Sequence, residues 1–194
     1  MMRKMFGMLA LFCCLVAPSV VRADDAAPSG VRGEILANMM DAGTKLQDLA
    51  GAFPDAKYTW KPGKDVRSTG QVFLHVVAAN YMLPSLMGVK GPMSMEDLMK
   101  LDSQTMEPAK VRQMLKDSYA FATKVITDTP DSDLDGQVEF FGQKMSKRAT
   151  MLIMASHSHE HLGQAIAYAR SNNITPPWTA REQAAAKKAA EAKK

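Results

Sequence analysis

Cysteine is nearly absent from this chain. Of 194 residues only Cys13 and Cys14 carry a thiol, side by side near the start. Both fall inside a segment that reads as a secretory leader, where Arg3 and Lys4 precede the apolar run Phe6 to Val16 and Val21-Arg22-Ala23 offers a small-residue cleavage position. Cleavage after Ala23 leaves a periplasmic or secreted protein with no thiol nucleophile and no disulfide. Phe12 is bulky where a lipoprotein signal wants a small residue before its cysteine, so no lipid anchor is expected. Long apolar runs are also missing, and the leader's own is too short for the ~20 residues of a membrane span. Charge of one sign is scarce: the formal +4 resides at the two ends, in Arg3, Lys4 and Arg22 and in the stretch from Arg181, leaving residues 24–180 at a net −2. Such a body has no electrostatic footprint for nucleic acid. Nucleophile elbow, phosphate loop, dinucleotide fingerprint and internal repeat are absent too.

What the chain does contain is helical periodicity. After a polar spacer at 24–29, Val31, Ile35, Leu36, Met39, Met40, Leu46 and Leu49 recur at spacings near three and four, which predicts a first helix over about 30–51. Phe53 to Val66 holds two prolines, a glycine, Tyr58 and Trp60 and reads as a connecting loop. Ser68-Thr69-Gly70-Gln71 matches a capping box and opens a second helix to about Met87. Gly88 to Pro92 breaks the chain, and Ser94 to Asp97 caps a short helix ending near Leu101. Pro108 suits the first turn of a third long helix, which carries Val111, Leu115, Tyr119, Ala122 and Ile126 and ends before Pro130. Leu134 to Met145 reads as a short extended segment or an ordered loop. Ser146 opens a fourth long helix, stopped by Asn172-Asn173 and then Pro176-Pro177.

From about Thr179 the composition is Ala, Lys, Glu and Gln, with no Leu, Ile, Val or aromatic after Trp178. Residues 179–194 are therefore expected to form a disordered tail or a solvent helix. The body, 30–178, is expected to be an all-α four-helix bundle, up-and-down or with crossovers, carrying a short extra helix between helices two and three. Bundles of this kind build metal sites between facing helices. They also form homodimers, although no exposed apolar stripe in the sequence marks a dimer face.

Four histidines occur, three of them in His157-Ser158-His159-Glu160-His161. At about 100° per residue, His157 and His161 lie ~40° apart on the fourth helix while His159 points ~160° away from both. His75, in the apolar second helix, can bring a third imidazole across a packing interface. Neutral imidazole is the commonest protein ligand for zinc, nickel, copper and iron, and three leave a coordination position open, as catalytic sites do. Gln164, about −20° from His157 on the wheel, and Glu160, about −60°, are candidates to hold an imidazole tautomer or accept a proton. Against this stands the ordinary role of a histidine on an apolar helix, packing with its nitrogens satisfied across the bundle. Twelve methionines follow the leader; most occupy helical core positions, where Met is a flexible filler rather than a thioether ligand for copper.

Trp60-Lys61-Pro62, Arg67-Ser68-x-Gly70-Gln71 leading to His75, and His157-x-x-x-His161-x-Gly163-Gln164 followed by Ala169-Arg170 and Pro176-Pro177 together resemble the DinB/YfiT-like superfamily, over roughly residues 30–178. The resemblance implies a four-helix bundle in which His75, His157 and His161 hold a divalent metal such as zinc, nickel or iron. Some relatives are transferases or isomerases that use bacillithiol, mycothiol or glutathione; others look like metal-dependent hydrolases. An export signal departs from the pattern, because an oxidising compartment does not keep such thiols reduced. The sequence thus reads as an exported divalent-metal-binding protein, a hydrolase or transferase acting on a small molecule; the alternative is a non-catalytic metal or small-ligand binding module.

Overall fold

The computed structural model describes residues 28–193. The expected leader, its cleavage position after Ala23 and the first part of the spacer lie outside the described residues. Helix α1 spans Gly30–Ala52 and ends where Phe53 turns extended. Helix α2, Thr69–Leu86, opens on the expected capping box: the Gln71 amide donates to Ser68 Oγ and the Ser68 amide donates to Gln71 Oε1. Helix α3, Met95–Leu101, is capped by Ser94, and α4, Pro108–Asp128, starts on its proline.

The segment expected to be extended or a loop is a β-hairpin, β1 Gln137–Phe140 against β2 Gln143–Ser146, with Phe140 opposite Gln143. Its two-residue turn, Phe141-Gly142, has positive φ at both positions, 47° and 81°, the geometry that matches the twist of paired strands. Ser146 then caps α5, Lys147–Ser171, and Asn173 takes the left-handed conformation (φ 58°) that ends it.

One expectation is corrected. The segment assigned to a disordered tail is helical from Pro177 to Glu191, α6, with none of its residues buried. It is the solvent helix of the two alternatives. Alanine and lysine favour helix intrinsically, Pro177 starts the helix, and Arg181 pairs with Asp48 of α1 at 3.1 Å.

The four long helices form a bundle in which α1 packs against α4 and α5, and α2 packs against α4 and α5. Consecutive helices α1 and α2 therefore sit across one diagonal and α4 and α5 across the other. The long connections at 53–68 and 129–146 make those crossings. The core runs through all four, with Met39, Leu46, Phe73, Val76, Leu115, Ile126, Met151 and Met154 essentially inaccessible. Tyr119 shows how tightly it closes. Its ring lies where a Cβ on Gly43 of α1 would come within 2.6 Å, and its hydroxyl donates to Ser158 Oγ of α5 at 3.0 Å. Among the described residues no helix is long and apolar enough to cross a membrane.

Candidate metal centre

Because α2 and α5 are side by side, His75 faces His157 and His161. His157 Nε2 lies 3.2 Å from His75 Nε2 and 3.1 Å from His161 Nε2, and the ring centroids are 4.4, 4.7 and 5.1 Å apart. Each ring offers a ligating nitrogen within 4.8 Å of the other two.

The outer nitrogens fix what the inner ones present. His75 Nδ1 donates to Asp102 Oδ2 at 2.9 Å. A carboxylate that also accepts from Arg67 Nε and Nη2, at 2.8 and 2.6 Å, can only accept, so His75 Nε2 faces the cluster with a lone pair. The second arm starts from a main-chain acceptor. Tyr168 donates its hydroxyl proton to the Arg67 carbonyl at 3.0 Å, so its oxygen accepts from Gln164 Nε2 at 3.2 Å. That orients the Gln164 amide with Oε1 toward His161 Nδ1, at 2.8 Å. His161 Nε2 is then also a lone pair. Arg67 thus steers one imidazole with its guanidinium and another with its carbonyl.

His157 Nε2 stands between these two lone pairs, and one proton could serve only one of them. The donor set is instead what a cation asks for. A tetrahedral zinc at 2.0–2.1 Å from each nitrogen would hold them ~3.3 Å apart, and an octahedral ion ~3.0 Å apart; the observed 3.1 and 3.2 Å fit either. Electrostatics agree with the neutral, ligating state. Burial, then the charges of His161, His75 and Arg67, lower the His157 pKa to about 3. Burial, followed by the Arg67 and His161 charges, lowers that of His75 despite Asp102. For Asp102 burial alone would raise the pKa, but the Arg67 and His75 bonds and charges outweigh it and hold the carboxyl below its usual range.

Residues 41–165 match the DinB superfamily. The chain belongs to that superfamily. Among solved structures it is similar to a DinB-like protein from Bacillus cereus at 18% identity and a TM-score of 0.65, covering 74% of this chain and 93% of that one. It is also similar to a DinB-like protein from Bacillus subtilis, 17% identical at a TM-score of 0.59 over 73% and 93% of the two chains. YfiT from Bacillus subtilis, described as a probable metal-dependent hydrolase with an unusual four-helix bundle topology, is 12% identical at a TM-score of 0.61, over 78% and 93%. No curated protein matches the chain.

Within this DinB bundle the sequence-derived candidates part ways. His75, His157 and His161 come together, and Gln164 orients His161. Glu160 is exposed and takes part in no hydrogen bond with the cluster among the described residues. His159 is exposed, its Nε2 3.1 Å from the Asn38 carbonyl. Asp102 was not foreseen. It caps the C-terminus of α3, and Gln71 holds the next residue by donating to the Ser103 carbonyl at 3.2 Å.

Proposed function

We propose that this DinB-superfamily chain is an exported metal-dependent hydrolase acting on a small molecule, its cation held by His75, His157 and His161. One observation carries the reading: the bonds to Asp102 and Gln164 leave the inner nitrogens of His75 and His161 as lone pairs converging beside His157. A divalent cation supplies Lewis acidity toward a substrate oxygen and toward water. The chain supplies position. Asp102 and Gln164 keep two imidazoles in the ligating tautomer and hold their planes, Arg67 anchors both supports, and burial favours the neutral form of His75 and His157. Trp60 packs edge-on against Tyr168, with centroids 5.3 Å apart, and so backs the Gln164 arm at its tyrosine.

With no thiol after Cys14, and with export disfavouring a reduced thiol cosubstrate, hydrolysis is favoured over thiol transfer. The test is elemental analysis of tag-free protein followed by an ester and amide screen. About one cation per chain, lost in His161→Ala, and turnover that disappears with a chelator are expected. Stoichiometric metal without turnover would leave a binding module, and no metal would remove the assignment. Export is checked separately: the N-terminus of protein recovered outside the cytoplasm should begin at Asp24.

A further inference from the structure

A cavity of about 260 Å³ opens beside two of the three imidazoles, His75 and His157. Its wall is apolar: Ala78, Ala79 and Leu83 of α2, Ile153 of α5, and Phe140 and Phe141 of the hairpin. Its polar lining comes from His75, His157 and Asp102. These three form one contiguous group, linked by the 2.9 Å and 3.2 Å contacts of His75 to Asp102 and His157. The cavity is therefore two-ended, with metal-ligating nitrogens at one end and hydrocarbon at the other.

Asp102 is already engaged by His75 and Arg67, so the pocket offers no free charge and no ring of hydrogen-bonding groups. A sugar or a phosphorylated group would lose its water there without replacement. The hairpin tip adds a second observation. Phe141 is 71% exposed and held at φ 47°, a backbone region that non-glycine residues seldom occupy. Its ring stands edge-on to Phe140 at 4.8 Å, on the rim of the cavity. A large aromatic placed in solvent at a strained turn gains burial once an apolar group lies beneath it.

We propose that this pocket receives the uncharged aliphatic or aryl part of a small-molecule substrate whose oxygen-bearing head lies at the imidazoles, with Phe141 as its rim. At ~30 Å³ for each water-sized group, the cavity holds about nine non-hydrogen atoms. The proposal rests on the metal reading above and narrows its substrate to acyl or aryl compounds.

The experiment is calorimetric titration of the zinc-loaded chain with straight-chain hydroxamic acids from acetohydroxamic to octanohydroxamic, a metal-binding head on a tail of increasing length. Kd should tighten about fourfold for each added methylene over the first several. Ala79→Phe, which fills the cavity from α2, should keep its zinc and its acetohydroxamate affinity while the dependence on length flattens. Should that variant fail to fold, Phe141→Ala, on an exposed turn, should weaken octanohydroxamate about fivefold and leave acetohydroxamate unchanged. Zinc bound at one per chain with no dependence on tail length would overturn the pocket proposal and leave the metal site standing. If zinc does not bind, the same titration is run with nickel or iron, and a chain that takes up none of the three would overturn the metal reading, and the proposal with it.

Discussion

Asp102 offers the sharpest test of the centre, because it touches no cation and yet should control the affinity for one. In Asp102→Ala three things change together. His75 Nδ1 loses its acceptor at 2.9 Å, so the ring is free to adopt the tautomer whose Nε2 carries the proton and cannot ligate. The ring plane is no longer held. Arg67, deprived of its partner at 2.6 Å, leaves an uncompensated positive charge near the site. Loss of such an outer partner typically weakens metal binding 10–100-fold, or about 1.4–2.7 kcal/mol. The fold itself should change little, since the Arg67 side chain is 40% exposed and can be hydrated. Asp102→Asn should fall between, because its amide oxygen, standing where Oδ2 does, can still accept from His75 and Arg67 but without the negative charge that favours both bonds. Competition titration of zinc against a chromophoric chelator measures all three proteins, with Asp117→Ala as an exposed carboxylate control. Equal zinc affinity in folded Asp102→Ala and the unmodified chain would refute the argument that this carboxylate fixes a ligand.

The same logic predicts that Tyr168→Phe, which removes the proton that orients Gln164, lowers zinc affinity about tenfold; an unchanged titration would break the proposed link from Arg67 to His161. Metal-free protein should lose stability on acidification. Burial, first, lowers the His157 pKa to about 3 from an ordinary 6.5, and that of His75 moves the same way. The unfolded chain then takes up protons first, so stability is full above pH 6.5 and declines toward about pH 3, by at most ~1.4 kcal/mol per pH unit for each proton. Urea midpoints at pH 7.5, 6 and 5 in the presence of a chelator test this, and a flat series would contradict it. Gly43→Ala should cost about 1–3 kcal/mol in urea denaturation, because the new Cβ would lie 2.6 Å from the buried Tyr119 ring; a neutral result would show that the ring can move aside.

Local signals gave the elements and their ends. Ser68 with Gln71, Pro108, Ser146 and Asn173 each act through neighbours in the chain, and each marks the boundary where it was expected. The His157 and His161 pair was legible for the same reason, as one turn of a helix fixes its geometry. The hairpin was harder, because strands of four residues are too short for alternation to stand out and its turn places a phenylalanine where glycine or asparagine is usual. Asp102 left no trace because its role comes from where a seven-residue helix docks on α2, which no spacing along the chain reveals. Glu160 marks the limit of reasoning from one helix alone. A helical wheel places residues relative to one another but does not show which side chains find partners: Gln164 reaches His161, and Glu160 stays exposed.

The diagonal placement of successive helices bears on how the molecule assembles. Of the four side-by-side contacts, only that of α2 with α4 joins long helices consecutive in the chain; the partnership of α1 with α5 must close everything between Ala52 and Lys147. Distant closures are entropically slow, so this bundle should fold more sluggishly than an up-and-down bundle of equal size, with the α2–α4 hairpin as its natural starting point. The imidazoles from α2 and α5 meet only when the later closure is complete. A cation should therefore slow unfolding while leaving the refolding rate unaltered, acting as a latch rather than a template.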